Sequence, residues 1–370
     1  MKKLLIILMV LLLAVSMIVS CKKSGGALIG IAMPETEAMR WVKAGISLKA
    51  AAESHGYRAE VQYGDADQDE QNRQIQDFLK QKAKALVVGC IDNGVASVIA
   101  EAGRGKVVVI AYDRIIPDSA DYDYYITFNN FKAGALQAQS IVDGLNLNAA
   151  SASAPKYITL FAGSPRDLNA LLLFDGAMSV LNPYIDRGVL QVVGPYPKTS
   201  ADGENFQRIA TENWQARTAR TRMTNLLSSE ARNVTLDAIL APNDALARAI
   251  IEACRADARY PRGTLPVISG LDAEFDSAMS IRNGDQYSTV FKDTSALAEA
   301  AIILADQILK NQPISIPGAV LAEGELREIG NTGGKYVQTY LLDPILVTRD
   351  TLNVLIDADF YESYEIAQLR

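Results

Sequence analysis

Residues 28–63 read LIGIAMPETEAMRWVKAGISLKAAAESHGYRAEVQY. Two short segments, Leu28–Met33 and Ala59–Tyr63, have the length and character of strands. The segment between them, from about Met39 to Ser54, sets Met39, Val42, Ile46 and Ala50 on one helical stripe. A strand, a helix and a second strand in this order signal a parallel sheet with helical crossovers.

The alternation continues outward. Strands are expected at Ala85–Gly89, Val107–Ala111 and Tyr124–Phe128, with a helix over about Asp69–Lys82 that turns Ile75, Phe78 and Leu79 inward. The second half repeats the plan, with strands at Tyr157–Phe161, Val189–Val193, Ala238–Ala241, Val267–Gly270 and Tyr287–Phe291. Helices are expected near Ala170–Leu181, Trp214–Leu227, Asp244–Ala256, Ala273–Arg282 and Ser295–Leu309, the last stopped by Asn311-Gln312-Pro313. Tyr336–Val347 is strand-like again. A chain of 370 residues has room for two such α/β domains, each with its own core.

The N-terminus departs from this plan. Lys2 and Lys3 precede an apolar run from Leu4 to Val19, broken only by Ser16, and then come Ser20 and Cys21. A charged start, an apolar stretch and a small residue at its end make an export signal, and the run is short for a membrane span. Ile18-Val19-Ser20-Cys21 resembles a bacterial lipobox, which implies residues 1–20 as a lipoprotein signal, Cys21 as the acylated first residue of the mature chain, and residues 21–27 as a tether. The protein is then expected in the periplasm or on the outer face of the cell membrane, held by its lipid alone.

Composition narrows the function. The net charge is −7, and it becomes −9 once residues 1–20 and their two lysines are gone. An acidic chain is a poor partner for nucleic acid. A single histidine and three cysteines leave no zinc-type ligand cluster. Neither a metal nor another cofactor is expected. Cys90 and Cys254 read as small buried apolar residues in separate domains.

In open parallel sheets, ligands settle beyond the carboxyl ends of the strands. The residues found there are Arg40 and Trp41, Asp113-Arg114, Asp167 and Asn169, Asn213-Trp214, Asn243-Asp244, Asp272 and Lys292. Carboxylates and amides bond adjacent hydroxyls, while Arg and Lys donate to sugar oxygens. Indoles cover the apolar faces of a pyranose. No nucleophile is paired with a base, so no enzyme is expected. Taken singly, each has a plainer reading: Asp113-Arg114 as a surface ion pair, Asp244 as a helix N-cap, the tryptophans as packing, Lys292 as a solvated charge.

Several stretches resemble periplasmic sugar-binding proteins of the ribose/xylose/galactose type, in particular the xylose-binding proteins and multiple-sugar-binding receptors. They are Ile29–Pro34, Arg40-Trp41, Ile110–Arg114, Phe174–Met178, Ser269–Glu274 and Gln286–Thr294. The resemblance spans about residues 28–365. It implies two Rossmann-like lobes with parallel sheets, joined by a three-strand hinge, the type I periplasmic binding protein fold. The first lobe would comprise residues 28–129 and 293–325, and the second 130–292 and 326–370. The chain would cross near Asn129–Asn130, Phe291–Asp293 and Gly324–Glu328.

The resemblance also implies roles. Trp41 and Trp214 would stack on a sugar ring. Asp113, Arg114, Asp167, Asn169, Asn243, Asp272 and Lys292 would hydrogen-bond its oxygens, with Arg40 beside them. The ligand would be a neutral monosaccharide such as xylose, glucose, galactose or arabinose. The partners would be an ABC transporter permease and, in a sensing role, a chemoreceptor or sensor kinase, with the protein acting as a monomer. Leu168 and Leu271 depart from the pattern, which has Asn and Gln there. A sugar-sensing repressor core shares this fold but needs a DNA-binding head where this chain has its export signal.

Overall fold

β1 (Leu28–Met33) is buried at every position, as a parallel strand covered by helices on both faces must be. It lies between β2 (Arg58–Tyr63) and β3 (Ala85–Val88), parallel to both, and β4 (Val108–Tyr112) and β5 (Tyr124–Phe128) extend the sheet in parallel. The computed structural model describes residues 26–369, apart from 38, 118, 120, 262, 325–328 and 332–335. The export signal, the lipid site at Cys21 and tether residues 21–25 thus lie outside the described residues. Gly26 and Ala27, expected in the tether, run along the first lobe, where the Ala27 carbonyl accepts from Arg58 N–H at 3.1 Å.

The second sheet runs β7-β6-β8-β9, all parallel, from β6 (Lys156–Leu160), β7 (Leu190–Val192), β8 (Ala238–Leu240) and β9 (Val267–Ile268). β10 (Ser288–Phe291) runs alongside its edge, with Tyr287 N–H donating to Ile268 O. The chain then returns to the first sheet with β11 (Ala319–Leu321) and β12 (Gln338–Leu342). That completes seven strands in the order β11-β12-β5-β4-β3-β1-β2. β13 (Ile345–Thr348) pairs antiparallel with β10.

These pairings locate the crossings. After β5, the helix Asn130–Gly144 packs against Leu168–Asp186 in the second lobe. After β10, the helix Thr294–Leu309 returns to the first core, against Met39–Ser54. The third crossing is a correction to the expected one near Gly324–Glu328, of which 325–328 lie outside the described residues. β12 pairs in parallel with β5, so residues 338–342 are still in the first sheet. The chain leaves at Asp343-Pro344. Proline there has no N–H to continue a ladder, so Tyr336–Val347 is two strands in two lobes and not one.

Two helices differ from the expected ones. In Met39–Ser54 the buried positions are Trp41, Ala44, Gly45, Leu48, Ala51 and Ala52, whereas Met39 and Ile46 are 62% and 63% exposed. The face chosen is the one whose small residues let the helix approach the sheet and the helix Thr294–Leu309. The helix expected from Trp214 starts at Ala216; Asn213 and Trp214 sit in a short turn before it, with φ of 50° and 55°. In the second lobe, a Cβ on Gly134 would lie 1.8 Å from Leu173 O, and one on Gly176 would lie 1.9 Å from Phe131 O. Only glycine permits this crossing, which clamps the helix after the first hinge to the helix after β6.

Candidate ligand-binding cleft

Strand ends of the two lobes face each other across the crossings, and the chain there is strained. Asp113, Asn213, Trp214, Asp272 and Ala273 all have φ between 49° and 93°, the left-handed region that side chains other than glycine's avoid. Such outliers persist only where the surroundings hold them, and they gather at binding sites.

Asp113 follows β4 and has no exposed surface. Its Oδ2 is paired with Arg40 Nη2 at 2.9 Å, while Oδ1 has no hydrogen-bond partner. Buried acceptors are rarely left this way, and a ligand hydroxyl would satisfy them. Burial alone would push the carboxyl up; Arg40, then Lys292 and Arg114, bring it down to about 2. Burial opposes the charge of Arg40 as well, but Asp113 and Asp272 hold its pKa above the ordinary guanidinium value.

The remaining charges join the same cluster. Arg40 Nε lies 4.0 Å from Asp272 Oδ1, and Lys292 Nζ lies 3.7 Å from that oxygen. Lys292 is 4% exposed, not the solvated charge of its plainer reading. Arg114 Nε lies 3.8 Å from Asp167 Oδ2 and its Nη1 donates to Cys90 O at 3.4 Å. Asp113, Arg114 and Arg40 come from the first lobe, Asp167 and Asp272 from the second, and Lys292 from the crossing between them. Arg40–Asp272 and Arg114–Asp167 therefore bridge the lobes, while Arg40–Asp113 lies within the first.

Asp167 caps the helix Leu168–Asp186 through Asn169 N–H at 3.0 Å and accepts from Trp214 Nε1 at 3.2 Å. Asn169 donates to Asp113 O at 3.0 Å and accepts from Asn130 Nδ2 at 2.8 Å. It ties the first hinge crossing to the first lobe and has one N–H left for a ligand. Asn130 was not among the expected site residues; nothing in an Asn-Asn pair after a strand announces that the second is fully buried. Leu168 packs with Leu172 against the first lobe's core, and Leu271 is buried beside Trp214.

The tryptophans part company. Trp214 is half-buried and lies flat on Gly163, where a Cβ would come within 2.2 Å of the indole. Trp41 is 1% exposed, with the guanidinium groups of Arg40 and Arg114 at 4.6 and 5.1 Å from its ring. In this conformation Trp41 has no accessible face for a sugar, contrary to the stacking expected of it. Its apolar area is buried in the first core, and its ring lies against the guanidinium groups of the two arginines.

The N-cap expected at Asp244 falls to Asn243 instead. Asn243 is the N-cap, accepting from Leu246 N–H at 3.0 Å and keeping its amide donors free. Asp244 is fully buried, accepting from Gln286 Nε2 at 2.8 Å, Thr289 Oγ1 at 3.0 Å and Glu274 N–H at 2.9 Å. Burial pushes its carboxyl up to about 8, against the hydrogen bonds from Gln286 and Glu274. No group of three or more metal-ligating side chains occurs among the described residues, and no helix there is long and apolar enough to cross a membrane.

The cluster can hold a small polyhydroxylated molecule by charge-assisted hydrogen bonds from both lobes. A sequence profile of the periplasmic binding protein domain matches residues 29–313. The multiple sugar-binding periplasmic receptor ChvE of Rhizobium radiobacter is 37% identical, covering 91% of this chain and 92% of its own. The D-xylose-binding periplasmic protein of Escherichia coli is 33% identical, covering 91% and 92%. Among solved structures, an ABC transporter solute-binding protein from Clostridium phytofermentans with bound β-D-glucose superposes with a TM-score of 0.79 at 31% identity, covering 92% of this chain and 99% of that one.

Proposed function

The chain belongs to the periplasmic binding protein family, and from that premise we propose that it captures a neutral monosaccharide between its lobes and delivers it to an ABC importer. Its relatives are binding proteins and not enzymes, and it is a binding protein too. The observation that carries the sugar reading is the balanced charge cluster, in which Asp113 and Lys292 are buried. Arg40, Arg114 and Lys292 meet Asp113, Asp167 and Asp272, which leaves no surplus cation for a phosphate and offers acceptors and donors in alternation to a ring of hydroxyls. Trp214 supplies the apolar face. Ligand contacts from both lobes make closure and capture one event. The export signal and Ile18–Cys21 support a mature chain held outside the cytoplasmic membrane by an acyl group on Cys21.

Titration calorimetry with D-glucose, D-xylose and glucose 6-phosphate tests the reading. Free aldoses should bind at one site per chain. Tight binding of the phosphate with no binding of the aldoses would overturn it. Mass spectrometry of the mature chain should find acyl groups at Cys21, and a soluble product without them would remove the anchor from the proposal.

A further inference from the structure

The turn that presents Asp272 is gripped from several sides, one of them the C-terminal segment. Asp272 and Ala273 have φ of 93° and 49°, which L residues keep only under restraint. Asp272 N–H donates to Val290 O at 3.0 Å. Ala273 N–H donates to Thr289 Oγ1 at 3.2 Å, and that hydroxyl donates on to Asp244 Oδ2 at 3.0 Å. Glu274 N–H donates to the same carboxylate oxygen at 2.9 Å. From the other side, Tyr361 Oη donates to Ala273 O at 2.6 Å.

Tyr361 is itself locked. It is 5% exposed, with its ring edge-on to Phe275 at 5.5 Å and to Phe360 at 5.2 Å. Phe360 in turn packs edge-on at 4.7 Å against Phe291, the residue before Lys292. Across the lobes, Lys43 Nζ lies 4.7 Å from the Phe360 ring centre and donates to Phe360 O at 3.4 Å.

We infer that Tyr361, together with Thr289 and Asp244 behind the turn, is a positioning residue for ligand capture that acts through Asp272. Losing the bond to Ala273 O lets the strained turn relax toward ordinary φ. The Asp272 carboxylate then swings from its place opposite Arg40 and Lys292. The inference rests on the cleft being the sugar site.

A double-mutant cycle with D-glucose as the titrant tests it. Tyr361→Phe keeps the ring and should weaken binding about fivefold, the worth of one hydrogen bond. In an Asp272→Asn background the same change should add almost nothing, because its route is already cut. If Asp272→Asn leaves no measurable binding, Thr289 decides. Thr289→Val should lose about fivefold, and Thr289→Ser, which keeps the hydroxyl, should restore the affinity. Wild-type binding with an unaffected Tyr361→Phe, an additive loss in the cycle, or serine behaving as valine overturns the inference and leaves the sugar reading standing. A wild-type protein that binds none of the aldoses overturns the sugar reading, and the inference with it.

Discussion

Asp113 and Asp244 each lie at the ligand edge of their lobe, and neither has any exposed surface, yet the protein treats them in opposite ways. Asp113 is surrounded by cations, with Oδ2 paired to Arg40 and Oδ1 without a hydrogen-bond partner. Asp244 is bonded by a side-chain amide, a hydroxyl and a backbone N–H. The first is charged and keeps bonding capacity to spare. The second is complete, and it supports a turn. The tryptophans follow the same division in reverse, with Trp41 sunk into the first core and Trp214 left half-open on the second lobe. Burial alone therefore does not separate the two carboxyls; unmet bonding capacity does.

The sharpest way to break this comparison is Asp113→Ala. It should weaken aldose binding by about 100-fold or more, since it strands Arg40 and removes acceptors for hydroxyls, while the fold persists. Calorimetry beside a melting curve reads both. A loss within about threefold would place Asp113 outside the site and make it no different from Asp244.

The two tryptophans come next. Trp41→Ala should cost about 3–5 kcal/mol of stability, as for a large core residue, and melting should show it without any sugar present. Trp214→Ala should spare most of the melting temperature and cost about 1.5–3 kcal/mol of affinity, the worth of the apolar area it would cover; Trp214→Phe should cost less. Equal losses of stability from both would erase the asymmetry between the lobes.

The smallest expected effect separates the carboxyls by pH. The Asp244 pKa is raised from an ordinary 3.8 to about 8, so its folded form favours the proton. Its contribution to stability is full below about 4 and declines as pH rises toward 8. Asp113 is lowered to about 2. Its contribution is present above 3.8 and is lost as pH falls through 2. Relative to wild type, Asp244→Asn should therefore gain stability between pH 5 and pH 8, and Asp113→Asn should approach wild type only in strong acid. Parallel slopes for the two variants would show that the carboxyls share one kind of environment.

Much of this protein was legible before any coordinates. Apolar runs mark the strands because a strand buried on both faces cannot carry charge, and where each run stops, the next polar residues must lie at a sheet edge. That reasoning reached Asp113, Arg114, Asp167, Asp272 and Lys292, which the fold does bring into one cluster. It could not decide between equals. Met39 with Ile46 and Trp41 with Leu48 are both apolar at helical spacing, and only the helix Thr294–Leu309, which packs there, settles which face is inside. Asn243 and Asp244 both cap helices well, and the donors that claim Asp244 come from Glu274, Gln286 and Thr289. Which sheet takes residues 338–342, and why Tyr361 bears on Asp272, depend on contacts between residues far apart in the chain. Local pattern fixes what a residue offers; its use is set by the neighbours that packing brings to it.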